Sequence, residues 1–199
     1  MTARLRSERG TGLIELLIAL TVLQIAIFAV FAMMQAGGLA ILRASRVSAA
    51  SAVGEQQLEL HRGLLYSDIG LATSGIAAAA LDATHTGTDG SFSGDNAEDA
   101  AEWSSGAQVD PAAALPPSTS CATSPPECQP IRTVTGPDGK SYRVDTYIRT
   151  ATVDSGRTGK RVTVVVRRAE DLSVAALARL SANFDLGTGC IPNDPVNPC

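Results

Sequence analysis

Few side chains in this sequence have the type and spacing to do chemistry. Four cysteines fall in two close pairs, Cys121/Cys128 and Cys190/Cys199, and the two histidines, His61 and His85, lie far from both. Neither pair has C-x-x-C spacing, so two disulfides in an oxidising compartment fit better than a zinc site. Connectivity is not readable from the sequence; pairing of nearest neighbours is the working assignment. The stretch THTGTDGSFSGDNAEDAAEW (84–103) offers Asp89, Asp95, Asn96, Glu98 and Asp99 as oxygen donors of the kind calcium takes. Their spacing departs from the EF-hand pattern, which leaves a solvated loop as the expectation. His61 is expected at a surface or interface, with no second ligand near it.

Catalysis has little to draw on. The sequence contains no G-x-S-x-G, H-E-x-x-H, Walker A or G-x-G-x-x-G motif. GRTGK (156–160) is too short for a phosphate loop and lies between expected strands. A Ser/His/Asp triad in the exported part would need His85 as its base. No enzymatic activity and no cofactor are therefore expected. A net charge of −4 and an aromatic content of 4% also argue against nucleic acid as a partner, since that binding uses basic patches and stacking rings.

The remaining group is a single carboxylate, Glu15, in the run TGLIELLIAL (11–20). Between Gly12 and Leu42 the only polar side chains are Glu15, Thr21, Gln24 and Gln35, and no charge intervenes between Glu15 and Arg43. About 20 apolar residues cross a bilayer, so the run is long enough to span. Arg4, Arg6 and Arg9 outweigh Glu8 ahead of it, which keeps the N-terminus cytoplasmic and exports the chain beyond Arg43. A secretory signal peptide has an apolar centre of about 7–15 residues and a small-residue cut, and this run is roughly twice that. An ordinary anchor fits the length but leaves Glu15 without a purpose, because a charge inside the membrane costs about 2.5–3.5 kcal/mol at the centre and less towards the end.

Gly10, the Thr11-Gly12-Leu13-Ile14 tetrad, Glu15 and the long apolar continuation resemble the processing site of type IV prepilins and type II secretion pseudopilins. That family has a short basic leader ending in Gly, a cut, an apolar tetrad, Glu at the fifth mature position and a long apolar helix. Thr11 departs from it, since Phe is usual there. EQQLELHRGLLYSDIG (55–70) resembles the end of the long helix in PilV-type minor pilins. The resemblance implies cleavage between Gly10 and Thr11 by a prepilin peptidase, N-methylation of Thr11, and filament assembly through Glu15. The freed Thr11 amine of one subunit would pair with Glu15 of a neighbour, a registry role of the kind best attested for buried ionic groups. It further implies an inner-membrane assembly platform, sister pilin or pseudopilin subunits and membrane lipid as partners. The protein would sit in the inner membrane as a single-pass chain with its head exported, then in a pilus or pseudopilus. A monomeric, membrane-anchored exported binding protein is the alternative from a different class.

The elements that must position these groups can be outlined along the 199 residues. Residues 1–10 read as a prepilin leader. Residues 11–66 read as one long helix, transmembrane over about 12–42, which would extend about 84 Å at 1.5 Å per residue. Its second half is amphipathic, with Val47, Ala50, Val53, Leu58, Leu60, Leu64 and Leu65 as the buried stripe. Gly37-Gly38 is a place where it can bend or melt. Residues 67–130, rich in Ala, Gly, Ser and Pro, read as a connecting loop region. In SYRVDTYIRT (141–150), Tyr142, Val144, Thr146 and Ile148 alternate with Arg143, Asp145, Tyr147 and Arg149, and KRVTVVVRR (160–168) places Val162, Val164 and Val166 inward. Period two with charged alternates predicts strands with one buried and one wet face. IRTVT (131–135) is a further strand, and LSVAALARLSANFD (172–185) suits helix or strand by period. The resemblance favours strand, giving an antiparallel sheet over 131–185. Residues 186–199 read as a terminal loop that a Cys190–Cys199 bridge would close, and the resemblance makes this loop the contact surface. The expected fold is α+β and pilin-like: a long N-terminal helix with a small antiparallel β-sheet head.

Overall fold

The computed structural model describes residues 11–88, 93–104, 125–152 and 158–185. Its first helix, α1, runs Thr11–Arg62, with no proline to interrupt it. Residues up to Ser45 form one compact unit and Arg46 onward a second. The helix is continuous through Gly37-Gly38, which does not melt it. α1 stops four residues short of the expected end. Gly63, which carries a cost of about 1 kcal/mol in a helix interior, follows the basic last turn of His61 and Arg62. A short 3-10 turn at Tyr66–Asp68 follows.

In the head, a four-stranded antiparallel meander has the order β1-β2-β3-β4. β1 is Ile131–Thr135, β2 Ser141–Thr152, β3 Thr158–Arg168 and β4 Ala178–Phe184. The register places Val144 opposite Val166 and Ile148 opposite Val162, so the inward valines of neighbouring strands stack on one face. β1 and β2 are joined through Gly136-Pro137-Asp138-Gly139. Here Gly139 adopts φ +74°, which suits glycine, and Gly136 faces the Tyr142 ring so closely that an added Cβ would lie 2.5 Å from it. Strand structure in the last segment begins only at Ala178, where the chain has already docked through Leu177 N–H on Val166 C=O.

Residues 46–62 of α1 cover the valine face. Ala49, Ala50, Val53 and Leu58 join Tyr142, Val144, Ile148, Val162, Val164, Val166 and Phe184 in one core. Gly54 lies where an added Cβ would be 2.5 Å from Leu180. The buried stripe therefore differs from the expected one. Val47, Leu60 and Leu65 are exposed, while Gly54, Gln57 and His61 occupy core positions. The spacing 49/50, 53/54, 57/58, 61 is helical throughout. Ranking by hydrophobicity missed it because two of its members are polar and one has no side chain.

Two further expectations are corrected. Residues 67–130 are not simply a loop, because they contain α2 (Thr73–Ala79), α3 (Ala83–Thr86) and α4 (Ser93–Ser104). The second face of the sheet is not wet either. Arg143, Asp145, Tyr147, Val165 and Arg167 are all buried.

Candidate functional site: an uncovered apolar helix and a buried charge network

Two places in the described residues concentrate unusual chemistry, one in each compact unit. In the first, residues 13–42 of α1 are exposed along their whole length, including Leu17, Phe28, Phe31 and Met33, and none of the apolar window is buried. The helix is long and apolar enough to cross a membrane. Glu15 is the one carboxylate of residues 13–42 and makes no hydrogen bond or ion pair among the described residues. A spacing of 3.6 residues per turn places Ala19, Val22, Ala26, Met33, Gly37, Ala40 and Ala44 on the Glu15 side, with Leu17, Leu20, Gln24, Phe28 and Phe31 opposite. Small residues let helix backbones approach closely in an apolar medium. Thr11 is the first helical residue, its side chain not among those described, and Gly10 lies outside the described residues altogether.

The second place is the covered second face of the sheet. Asp145 on β2 is fully buried and is the hub. Its Oδ1 accepts from Arg143 Nη2 at 2.9 Å, from Arg143 Nε at 3.0 Å and from His85 Nδ1 at 3.1 Å. Arg167 Nε of β3 stands 3.6 Å from Oδ2. Arg143 also reaches α3, where its two terminal nitrogens donate to the carboxylate of Asp82 at 2.8 and 3.1 Å. Asp82 caps α3 by accepting from the His85 amide at 2.9 Å. Burial pushes the Asp82 carboxyl up, but the Arg143 hydrogen bonds and the His85 amide outweigh it and hold the group below its usual range.

α4 brings the matching acids. Asp99, fully buried, accepts from Arg167 of β3 through one oxygen and from Arg179 of β4 through the other, the latter at 2.7 Å. Glu98 pairs with Arg179 at 2.8 Å and Glu102 with Arg149 at 3.0 Å. An aromatic stack completes the layer. The Tyr147 ring lies 4.3 Å from the His85 ring, Trp103 meets His85 edge-on at 5.4 Å, and Tyr147 Oη donates to the His85 carbonyl at 2.8 Å.

These contacts revise the acidic stretch. Asp99 is a buried ion-pair partner on a helix, not part of a solvated loop, and both its oxygens are already taken by arginines. Glu98 likewise serves Arg179. Asp89 lies outside the described residues, and the side chains of Asp95 and Asn96 are not described. Among the described residues no cluster of His, Cys, Asp and Glu can hold a metal ion. His85, which a triad would need as base, is enclosed by Asp145, Tyr147 and Trp103, and its Nε2 has no hydrogen-bond partner among the described residues. The signal for this network was present in the sequence: Asp99 and Glu102 share a helix face, and Arg143, Arg149, Arg167 and Arg179 occupy outward strand positions. Periodicity alone could not say that the two faces meet.

Two more buried cations and bases tie the first face. Lys160 Nζ donates to the carbonyls of Tyr66 at 2.8 Å and Ile69 at 2.6 Å and stands 4.8 Å over the Tyr66 ring. Burial pulls its pKa down to about 8. His61 is buried rather than at a surface, with its Nδ1 2.9 Å from Gln57 C=O. Burial lowers its pKa below 6.5, against the opposing pull of the Gln57 carbonyl and Glu127. Below pH 6.5 the unfolded chain therefore binds a proton that the folded head refuses. Stability contributed by neutral His61 is lost as pH falls through that value, with a slope of at most about 1.4 kcal/mol per pH unit. Urea midpoints measured from about pH 7 to 5 should fall more steeply for the wild type than for His61→Gln. Parallel curves would show that His61 does not titrate out of register with the unfolded chain.

Cys128 is buried and is not a free thiol. Its own backbone carbonyl accepts from Ala72 N–H at 2.9 Å, fastening this segment to the start of α2. Cys121, Cys190 and Cys199 lie outside the described residues, as does the terminal loop expected to form a contact surface. Searches against protein-family models, curated proteins and solved structures returned no match.

Proposed function

We propose that this chain is a structural subunit, a minor pilin or pseudopilin, of a type IV pilus or type II secretion filament. The observation that carries the reading is the isolated Glu15 carboxylate on an apolar stretch of helix, residues 13–42, that nothing among the described residues covers. A lone acid in such a helix is costly in lipid and costly in a dry bundle unless a cation meets it. A cut after Gly10 creates that cation, the Thr11 amine, on every subunit. Stacked subunits then bury the apolar helices against each other, with the alanines and glycine among the Glu15-side residues easing approach and the Glu15–amine pairs setting axial register. The pilin-like α+β architecture supports the same reading, because α1 continues without a break from the apolar run into the head.

In this reading the precursor enters the inner membrane with its N-terminus cytoplasmic. A prepilin peptidase processes it, and an assembly platform extracts it into the filament beside its sister subunits. Mass spectrometry of the native N-terminus tests the proposal. Thr11 as the first residue is expected, with or without a methyl group. Met1 or Thr2 in its place would overturn the filament reading and favour a monomeric, membrane-anchored exported protein.

A further inference from the structure

We infer that the head carries a site for a phosphate oxyanion, and that the phosphate it takes belongs to a membrane phospholipid headgroup. The site is a shallow hollow open to solvent, at the end of the sheet where α1 enters the head. Arg46 of α1, Lys140 of the β1–β2 turn and Arg168 at the end of β3 line it, with Glu170 as the one carboxylate in its wall. Three separate elements thus bring cations to one place. None of the three cations is in an ion pair among the described residues. The Nε of Arg168 is buried and has no hydrogen-bond partner among the described residues, a state that structures usually avoid and that an anionic oxygen would relieve.

Nearby acids are committed elsewhere. Asp138 accepts from Tyr142 Oη at 2.7 Å and from the Lys140 amide at 3.1 Å. Asp171 accepts from the amide and hydroxyl of Ser173. Both feel the cations, Asp138 that of Lys140 and Asp171 that of Arg168, but neither forms a contact ion pair with them. Two guanidinium forks with one ammonium form a donor set that suits a tetrahedral phosphate, whose oxygens the forks can meet in pairs. Leu177, half-buried, completes the wall with apolar surface, which a glycerol or acyl-proximal segment can cover and a hydrated free phosphate cannot use.

Position in the chain selects the lipid as the source. Arg46 follows Leu42, the last residue of the apolar run, by four residues, and Arg43 stands between them. Basic residues at that point of a spanning helix meet the headgroups. The inference rests on the membrane-spanning part of the proposed function but not on cleavage after Gly10. An uncut N-terminus would therefore overturn the filament reading and leave this site standing.

The test uses the full chain in uncharged detergent micelles, titrated with lysophosphatidylglycerol, with inorganic phosphate and with monoacylglycerol, and read by native mass spectrometry. The wild type should retain one lysophosphatidylglycerol in preference to monoacylglycerol, and inorganic phosphate should bind more weakly. The double substitution Lys140→Gln, Arg168→Gln should weaken lipid retention on the order of tenfold, and Arg168→Lys should keep part of it. Emission from Trp103, the single tryptophan, reports whether each variant is folded. If the double variant fails to fold, Lys140→Gln alone, at an exposed side chain, carries the comparison. Retention unchanged in the variants, or monoacylglycerol held as well as the phospholipid, would overturn the site. Inorganic phosphate binding as tightly as the lipid would overturn the lipid assignment.

Discussion

Asp145→Ala is expected to destabilise the folded head by about 3–5 kcal/mol, the range for removing one partner from a buried ionic network. Asp145 is fully buried and is the group against which Arg143 and His85 are both hydrogen-bonded. Without it, Arg143 keeps only the partly exposed Asp82. Arg167 keeps Asp99 but faces an uncompensated positive neighbour. Those charges cannot reach water without lifting α3 and α4 from the sheet, so the loss exceeds that of any surface pair, which is about 0–1 kcal/mol. Urea unfolding of the full chain in detergent, followed by Trp103 emission, measures it directly, because Trp103 touches His85. Asp145→Asn should fall between, since it keeps an acceptor but not the charge. A midpoint shift corresponding to less than about 1 kcal/mol would show that the layer on the second face contributes little to the fold.

Glu15→Ala should leave cleavage after Gly10 intact while lowering incorporation into filaments on the order of a hundredfold, the equivalent of about 3 kcal/mol for an unpaired buried charge. In the proposed filament, removing the carboxylate would leave every Thr11 amine without a partner, and no other acid is present on the apolar run to replace it. Glu15→Gln separates charge from shape, as it preserves length and hydrogen bonding but cannot neutralise the amine. Immunoblots of membrane and sheared-filament fractions provide the readout. Equal incorporation of Glu15→Ala and wild type would refute the pairing role, and loss of cleavage would place the role of Glu15 in processing instead.

The features legible in the sequence are those governed by neighbours along the chain. The helix of 52 residues comes from an apolar run without proline and an Ala/Gln/Glu/Leu continuation. Strands β2 and β3 come from strict alternation, and the turn between β1 and β2 from Gly136-Pro137-Asp138-Gly139. Against these, α4 was hidden because Ser93, Gly94, Asp95 and Asn96 open it with residues that favour turns, and its acids read as solvated. His61 and Gln57 were not legible because they are polar, and hydrophobic periodicity assigns polar side chains to the wet face of a helix.

Local pattern thus determined that the chain has a long apolar run with one acid and, after it, alternating strands, and those two facts carry the functional proposal. Only the tertiary structure decided that the second sheet face is dry. A charged residue is assigned to water by default, because burying it alone costs far more than any pattern can repay. That cost is offset when Asp99, Glu98 and Glu102 of one helix meet Arg167, Arg179 and Arg149 of three strands, separated by about 47–81 residues in sequence. No window read along the chain contains both partners, so the pairing exists only once the chain has folded.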